Sequence, residues 1–166
     1  ERRIIERQLV HVTRLVDDLL DVSRITSGRL QLRHEPVRIA HVLEQVVDAI
    51  QHSLLKRTLT LEVDTDAESS WVEGDEVRLA QVFNNLLVNA IKFTPAGGAI
   101  AVRARREGDS VAIDVEDTGI GISAEDMKRI FDLFYQAPQN ADRARGGLGL
   151  GLTIVRSLVG MHGGSV

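Results

Sequence analysis

The stretch Gln81-Val-Phe-Asn-Asn-Leu-Leu-Val-Asn-Ala-Ile-Lys-Phe-Thr94 decides how the rest of the chain is read. Val82, Leu86, Ala90 and Phe93 recur at helical spacing, so Asn85, Asn89 and Lys92 fall together, one turn apart, on a neighbouring and more polar face. A surface helix ordinarily spends such positions on Glu, Lys and Arg. Carboxamides offer neutral oxygens suited to a hard cation such as Mg2+, which takes few protein ligands and keeps its waters and phosphates. Ordinary asparagines on a helix would give the same pattern, so other segments must decide.

Two segments bear on that choice. Asp117-Thr-Gly-Ile-Gly-Ile122 follows a strand-like run and presents one carboxylate at a rim where glycines let another molecule approach the backbone. Such a carboxylate can accept a hydrogen bond from an exocyclic amine; a turn that merely caps the strand is the plain alternative. Gly146-Gly-Leu-Gly-Leu-Gly-Leu152 leads into a helix, so backbone N–H groups and the positive helix end face whatever anion occupies the loop, which favours phosphate. No Lys-Ser or Lys-Thr follows these glycines, as a Walker A loop requires. No strand precedes them, as a dinucleotide fingerprint requires.

Composition narrows the class. The 166 residues, 43% hydrophobic and 27% charged, suffice for one good core or a core with an appended element. A net charge of -4, with no more than two adjacent Lys or Arg, argues against a nucleic-acid partner. The absence of cysteine excludes a disulfide framework and thiolate metal sites. No membrane span or signal peptide is visible, and a cytoplasmic location is expected. The abrupt start at Glu1-Arg-Arg and the abrupt end suggest a piece of a longer protein.

Along the chain, Ile5, Leu9, Val12, Val16 and Leu19 form a seam spaced by fours and threes, which predicts a long helix that packs against other helices and ends near Gly28. Leu30 to Leu32 reads as extended, and Ile39 to about Lys56 as a second helix. Leu59 to Val63 and Trp71 to Asp75 read as strands, Glu76 to Phe93 as the asparagine-bearing helix. Ala99 to Arg105 and Ser110 to Glu116 are two strands joined by a Gly108-Asp109 turn. Ser123 with Asp126 suggests a helix start, the helix running to about Phe134. Tyr135 to Gly147 is a polar loop, and about Leu150 to Met161 a last helix.

Taken in order, these segments resemble the ATP-binding catalytic domain of sensor histidine kinases, within the superfamily that also holds DNA gyrase, the mismatch-repair ATPases and a heat-shock chaperone. The family's N box looks like Asn85 to Thr94, its G1 box like Asp117 to Gly121, its F box like Phe131 to Phe134, and its G2 box like Gly147 to Gly151. Leu15 to Ile25 is similar to the second helix of the family's dimerisation and phosphotransfer hairpin. The resemblance implies an α+β fold: a two-layer sandwich with a mixed sheet packed on helices, preceded by one long helix of a dimeric bundle. Residues 1–27 would be that helix and residues 28–166 the ATP-binding domain, without the family's first hairpin helix and closing strands.

The resemblance also implies roles. Asn89 would ligate the Mg2+ that bridges the ATP phosphates, with Asn85 and Lys92 beside the phosphates and Phe93 near the base. Asp117 would hold the adenine amino group, Gly119 and Gly121 would give the base room, and Gly147, Leu148, Gly149 and Gly151 would supply lid and phosphate contacts. Arg143 and Arg145 are candidates for neutralising γ-phosphate charge, since phosphoryl transfer rests on positioning and electrostatics. Hydrolytic relatives place a Glu four residues before the metal-binding Asn; here that position is Asn85, which cannot act as a base.

Transfer of the γ-phosphoryl group to a histidine, for relay to an aspartate of a response-regulator receiver domain, is therefore the expected chemistry, by a homodimer. The alternative is a degenerate module that senses nucleotide or acts as a scaffold. None of His11, His34, His41, His52 or His162 fits the family's phosphoacceptor, a His followed by an acidic residue. His11 is expected on the outer face of the first helix.

Overall fold

A computed structural model of the chain describes residues 2–65, 71–137 and 147–166, and in the first helix the side chains of residues 9, 12, 13 and those from 15 onward. Helix α1 spans Arg2–Thr26. Strand β1 (Glu35–Arg38) then leads directly into α2 (Ile39–Lys56), followed by β2 (Thr60–Thr65) and β3 (Trp71–Gly74). Helix α3 (Glu76–Phe93) precedes the hairpin of β4 (Ala99–Glu107) and β5 (Ser110–Asp117); α4 (Ala124–Met127) and α5 (Gly151–Met161) complete the order.

Strands β2, β4 and β5 form a mixed sheet in that order, β2 parallel and β5 antiparallel to β4. Parallel neighbours need a crossover, and here β3 and α3 intervene between β2 and β4. Glu107 pairs with Ser110, so the β4–β5 turn is the expected Gly108-Asp109, with Gly108 at φ +62°. Alternation on β4 sends Ile100, Val102 and Ala104 into the core and Arg103 and Arg105 to the other face. On that outer face Arg103 pairs with Glu116 at 2.8 Å, and Arg105 with Glu107 at 3.0 Å and with Asp114.

The core lies between the sheet and α2, α3 and α5. Val42, Leu43, Val46 and Ile50 of α2, Leu79, Val82, Phe83 and Leu87 of α3, and Ile154, Val155 and Leu158 of α5 fill it. Leu87 is fully buried, and its truncation to alanine would cost about 3 kcal/mol. The chain is thus a two-layer α+β sandwich, as the family resemblance implies.

Three local readings need correction. Strand β1, paired antiparallel with β3 in a separate two-stranded sheet, falls on Glu35-Pro-Val-Arg38, which the sequence reading did not assign as a strand. Pro36 obscured it, because proline removes a ladder donor. Helix α4 stops at Met127, short of Phe134. Lys128, Arg129 and Asp132 donate instead to carbonyls three residues back, and the Phe131 carbonyl is drawn to Thr153 and Arg156 of α5. On α3 the core face is set by Leu79, Val82, Phe83, Leu87, Ala90 and Ile91, leaving Leu86 and Phe93 half-buried at its margin.

Helix α1 is attached at its C-terminal end. Arg78 Nη1 reaches Asp21 Oδ1 at 3.0 Å and Oδ2 at 2.9 Å, Gln81 Nε2 donates to Asp21 Oδ2 at 2.7 Å, and Val22 and Ile25 pack on the core. Further up, Leu9, Val12, Val16 and Leu19 of the expected seam are between 49% and 61% exposed. Ile5 and His11 lie outside the described side chains. Among the described residues no helix is long and apolar enough to cross a membrane.

Candidate functional site

Helix α3 carries the first site residues, and its N-terminus is tied to three other parts of the chain. Asp75, buried, caps it by accepting the Arg78 N–H at 3.2 Å through Oδ1. Its Oδ2 accepts the Arg33 N–H at 3.0 Å. Burial pushes the Asp75 carboxyl up, but the N–H groups of Arg33 and Arg78 and the Arg78 guanidinium outweigh it and hold the group below its ordinary value. The Asp75 N–H donates to His162 Nε2 at 3.0 Å, while Nδ1 faces the Leu158 carbonyl at 2.7 Å. An acceptor on one ring nitrogen and a donor on the other assign the Nδ1–H tautomer. A Cβ at Gly74 would come 2.8 Å from His162 Cδ2, so glycine lets the ring lie there.

At the other end α3 meets the Asp117 turn. The Phe93 carbonyl accepts the Ile120 N–H at 3.4 Å. A Cβ on Gly119 would fall 2.7 Å from that carbonyl oxygen and 2.4 Å from Asp117 Oδ1. Glycine is therefore required for the helix end and the turn to meet. Asp117 Oδ1 accepts the Gly119 N–H at 2.8 Å, and the carboxylate is exposed. Gly121 adopts φ +69°, a conformation that L side chains rarely take.

Lys92 is half-buried, with its ammonium 4.8 Å from the centroid of the Phe93 ring. Burial alone pushes its pKa down. Asn89 is half-buried one turn earlier. Asn85 corrects the reading of an open polar row: it is 4% exposed and its Nδ2 donates to the Gly151 carbonyl at 3.4 Å, beneath the start of α5.

The glycine-rich run meets the phenylalanine segment. A Cβ on Gly149, at φ +71°, would come 2.5 Å from the Tyr135 carbonyl oxygen, and Gln136 Nε2 donates to the Gly147 carbonyl at 2.6 Å. Thr153 Oγ1 and Arg156 Nη2 donate to the Phe131 carbonyl at 2.9 and 3.2 Å, and the Arg156 guanidinium lies 5.3 Å from the Phe131 ring centroid. The N-cap residue of α5, Leu150, makes no side-chain cap hydrogen bond. Gly147 and Leu148 are exposed. Arg143, Arg145 and Gly146 lie outside the described residues.

The asparagine helix thus touches the Asp117 turn through Phe93 and the glycine-rich helix start through Asn85. The glycine-rich run in turn holds the phenylalanine segment. A concavity lies elsewhere, beside α4, with Ser123, Asp126, Arg129 and Phe134 in its lining; none of the asparagine or glycine residues contributes to it. Among the described residues no group of three or more His, Asp or Glu side chains could hold a metal ion. A cation here would lean on a carboxamide oxygen and on oxygens of the ligand itself, which suits Mg2+ on phosphates.

Sequence reasoning missed Asp75 and His162 as supports of α3, and Arg57 at its far end. Asp75 was legible, since Asp before Glu76 is an N-cap signal. Nothing local marks His162 or Arg57, whose partners lie 87 and 34 to 37 residues away.

A mixed sheet under helices, with a capped helix set against a glycine turn and a second glycine-rich helix start, places the chain in the class of two-layer α+β sandwich folds. The chain belongs to the histidine kinase-, DNA gyrase B- and HSP90-like ATPase family, whose profile matches residues 74–166, more than half of it. Its relatives include sensor histidine kinases. The circadian input-output histidine kinase CikA of Synechococcus elongatus is 35% identical over 158 residues, covering 94% of this chain and 21% of CikA. The non-motile and phage-resistance protein of Caulobacter vibrioides is 38% identical over 158 residues, covering 93% of this chain and 19% of that protein. Among solved structures, full-length ShkA in complex with AMPPNP superposes with a TM-score of 0.79 at 30% identity, over 92% of this chain and 31% of ShkA. The chain spans about a fifth of the length of these two curated relatives.

Proposed function

We propose that this chain binds Mg-ATP between α3, the Asp117 turn and the start of α5, and donates the γ-phosphoryl group to a histidine outside the chain, for relay to a response-regulator aspartate. The observation that carries the reading is the junction at Phe93, Gly119 and Asp117, where a close backbone approach sets the exposed Asp117 carboxylate against the end of α3, the helix that carries the half-buried Lys92. That pairing suits a ligand with an amine-bearing base at one end and anions at the other. Asp117 would accept from the adenine amino group, with Gly119 and Gly121 giving the base room. Lys92 would face the phosphates, and Phe93 would lie near the base.

Asn89 would hold Mg2+, which neutralises phosphate charge when bound. Gly147, Leu148, Gly149 and Gly151 would bring backbone N–H groups to the phosphates, and Arg143 and Arg145 would add charge there. Asn85 offers no base to activate water, which favours a protein side chain as acceptor. Residues 1–27 are proposed as one helix of a hairpin that forms a homodimer, its exposed seam being the surface that a bundle would cover.

Incubation of the full-length parent protein with γ-labelled ATP and Mg2+ tests this reading. Acid-labile, alkali-stable label on the protein, lost in Asn89→Ala, is the expected result. ATP binding without label would point to the degenerate sensing module, and no ATP binding would overturn the site.

A further inference from the structure

The C-terminus of α3 poses a hydrogen-bonding problem that the sequence creates. A helix leaves its last carbonyls without intrahelical partners, and here Pro95 removes the N–H that would have reached Ile91. The Ala90 carbonyl is satisfied by the Thr94 N–H at 3.0 Å and Thr94 Oγ1 at 2.6 Å, and the Phe93 carbonyl by Ile120. The carbonyls of Ile91 and Lys92 are met by one side chain from another helix. Arg57 Nη1 donates to the Ile91 carbonyl and lies 3.0 Å from that of Lys92 and 3.5 Å from that of Thr94.

Arg57 is itself held firmly. It ends α2 in a Schellman turn, with the Thr58 N–H on the Leu55 carbonyl at 3.1 Å and the Leu59 N–H on the Leu54 carbonyl at 3.0 Å. Leu54 and Leu59 are buried, and the Arg57 carbonyl accepts the Gly97 N–H at 3.3 Å. The guanidinium also places positive charge at the negative end of α3.

We propose that Arg57 is a positioning residue for the nucleotide. By holding the carbonyls of Ile91 and Lys92 it fixes the last turn of α3, so that Lys92 and Phe93 stand in a set relation to Gly119 and Asp117. The inference rests on the ATP reading for its ligand, though not for its geometry. A lysine at this position keeps the charge and has three donors, but on a rotating, more strongly hydrated ammonium rather than a planar fork of fixed geometry.

The test uses the full-length parent protein as wild type, Arg57→Lys and Arg57→Met. In autophosphorylation, Arg57→Met should raise KM for Mg-ATP about tenfold, the scale of one or two lost hydrogen bonds, with kcat little changed and Arg57→Lys between the two. Amide exchange without nucleotide should accelerate at Phe93, Thr94 and Ile120 in Arg57→Met while α2 and β4 keep their protection. An unchanged KM, or acceleration spread evenly over the fold, would make Arg57 a general stabiliser and overturn the proposal. If the wild-type protein binds no ATP, the functional reading fails, and the exchange pattern alone decides whether Arg57 sets the last turn.

Discussion

Gly119 has no room for a side chain, because both the Phe93 carbonyl and the Asp117 carboxylate occupy the space a Cβ would need. The sequence showed glycines after an aspartate, which suggested that something approaches the backbone. It could not show that the nearest approach is the chain's own helix end. Asn85 was misread for a related reason: periodicity places a residue on a face, but it does not reveal that α5 covers that face. At Thr58 the local rule is broken outright. A β-branched residue sits at φ +55°, the position in a Schellman turn that glycine ordinarily takes, and its side chain is exposed. Thr58→Gly should therefore stabilise the fold by about 1 kcal/mol, after the entropy cost of glycine is deducted from the relieved strain. Denaturant unfolding of the two proteins measures it; a loss of stability would show that Thr58 is not strained.

At the scale of elements, the long periodic helices and the β4–β5 hairpin were legible because their patterns are local. Strand β1 was hidden by Pro36, and α4 ends at Met127, where Lys128 and Arg129 turn to carbonyls three residues back. The start of α3 carries a prediction of its own. Asp75 accepts the backbone N–H groups of Arg33 and Arg78, and Asp75→Ala should cost about 2 kcal/mol. Its carboxyl is held below the unfolded value of about 3.9, so the stabilisation is fully present above that pH and fades as pH falls through the lower folded value. Acid unfolding should accordingly be less steep in the variant than in the wild type. Parallel curves at all pH would mean that the cap is not ionised in the folded state.

For the whole molecule, the fold and the family follow from segments in one order, and the family profile covers residues 74–166. What the order alone does not give is how those segments are held: Asp75 and His162 behind α3, Asp21 and Arg78 joining it to α1, and Arg57 at its far end. These contacts link residues 34 to 87 positions apart in sequence, through side chains that no local pattern singles out. The central claim is that the α3 end and the Asp117 turn together form a nucleotide site, and calorimetric titration with a non-hydrolysable ATP analogue tests it most directly. With Mg2+ the protein should bind, without Mg2+ it should bind more weakly, and Asp117→Ala should lose measurable affinity while its thermal unfolding stays close to that of the wild type. Equal affinity in Asp117→Ala and wild type would contradict the account.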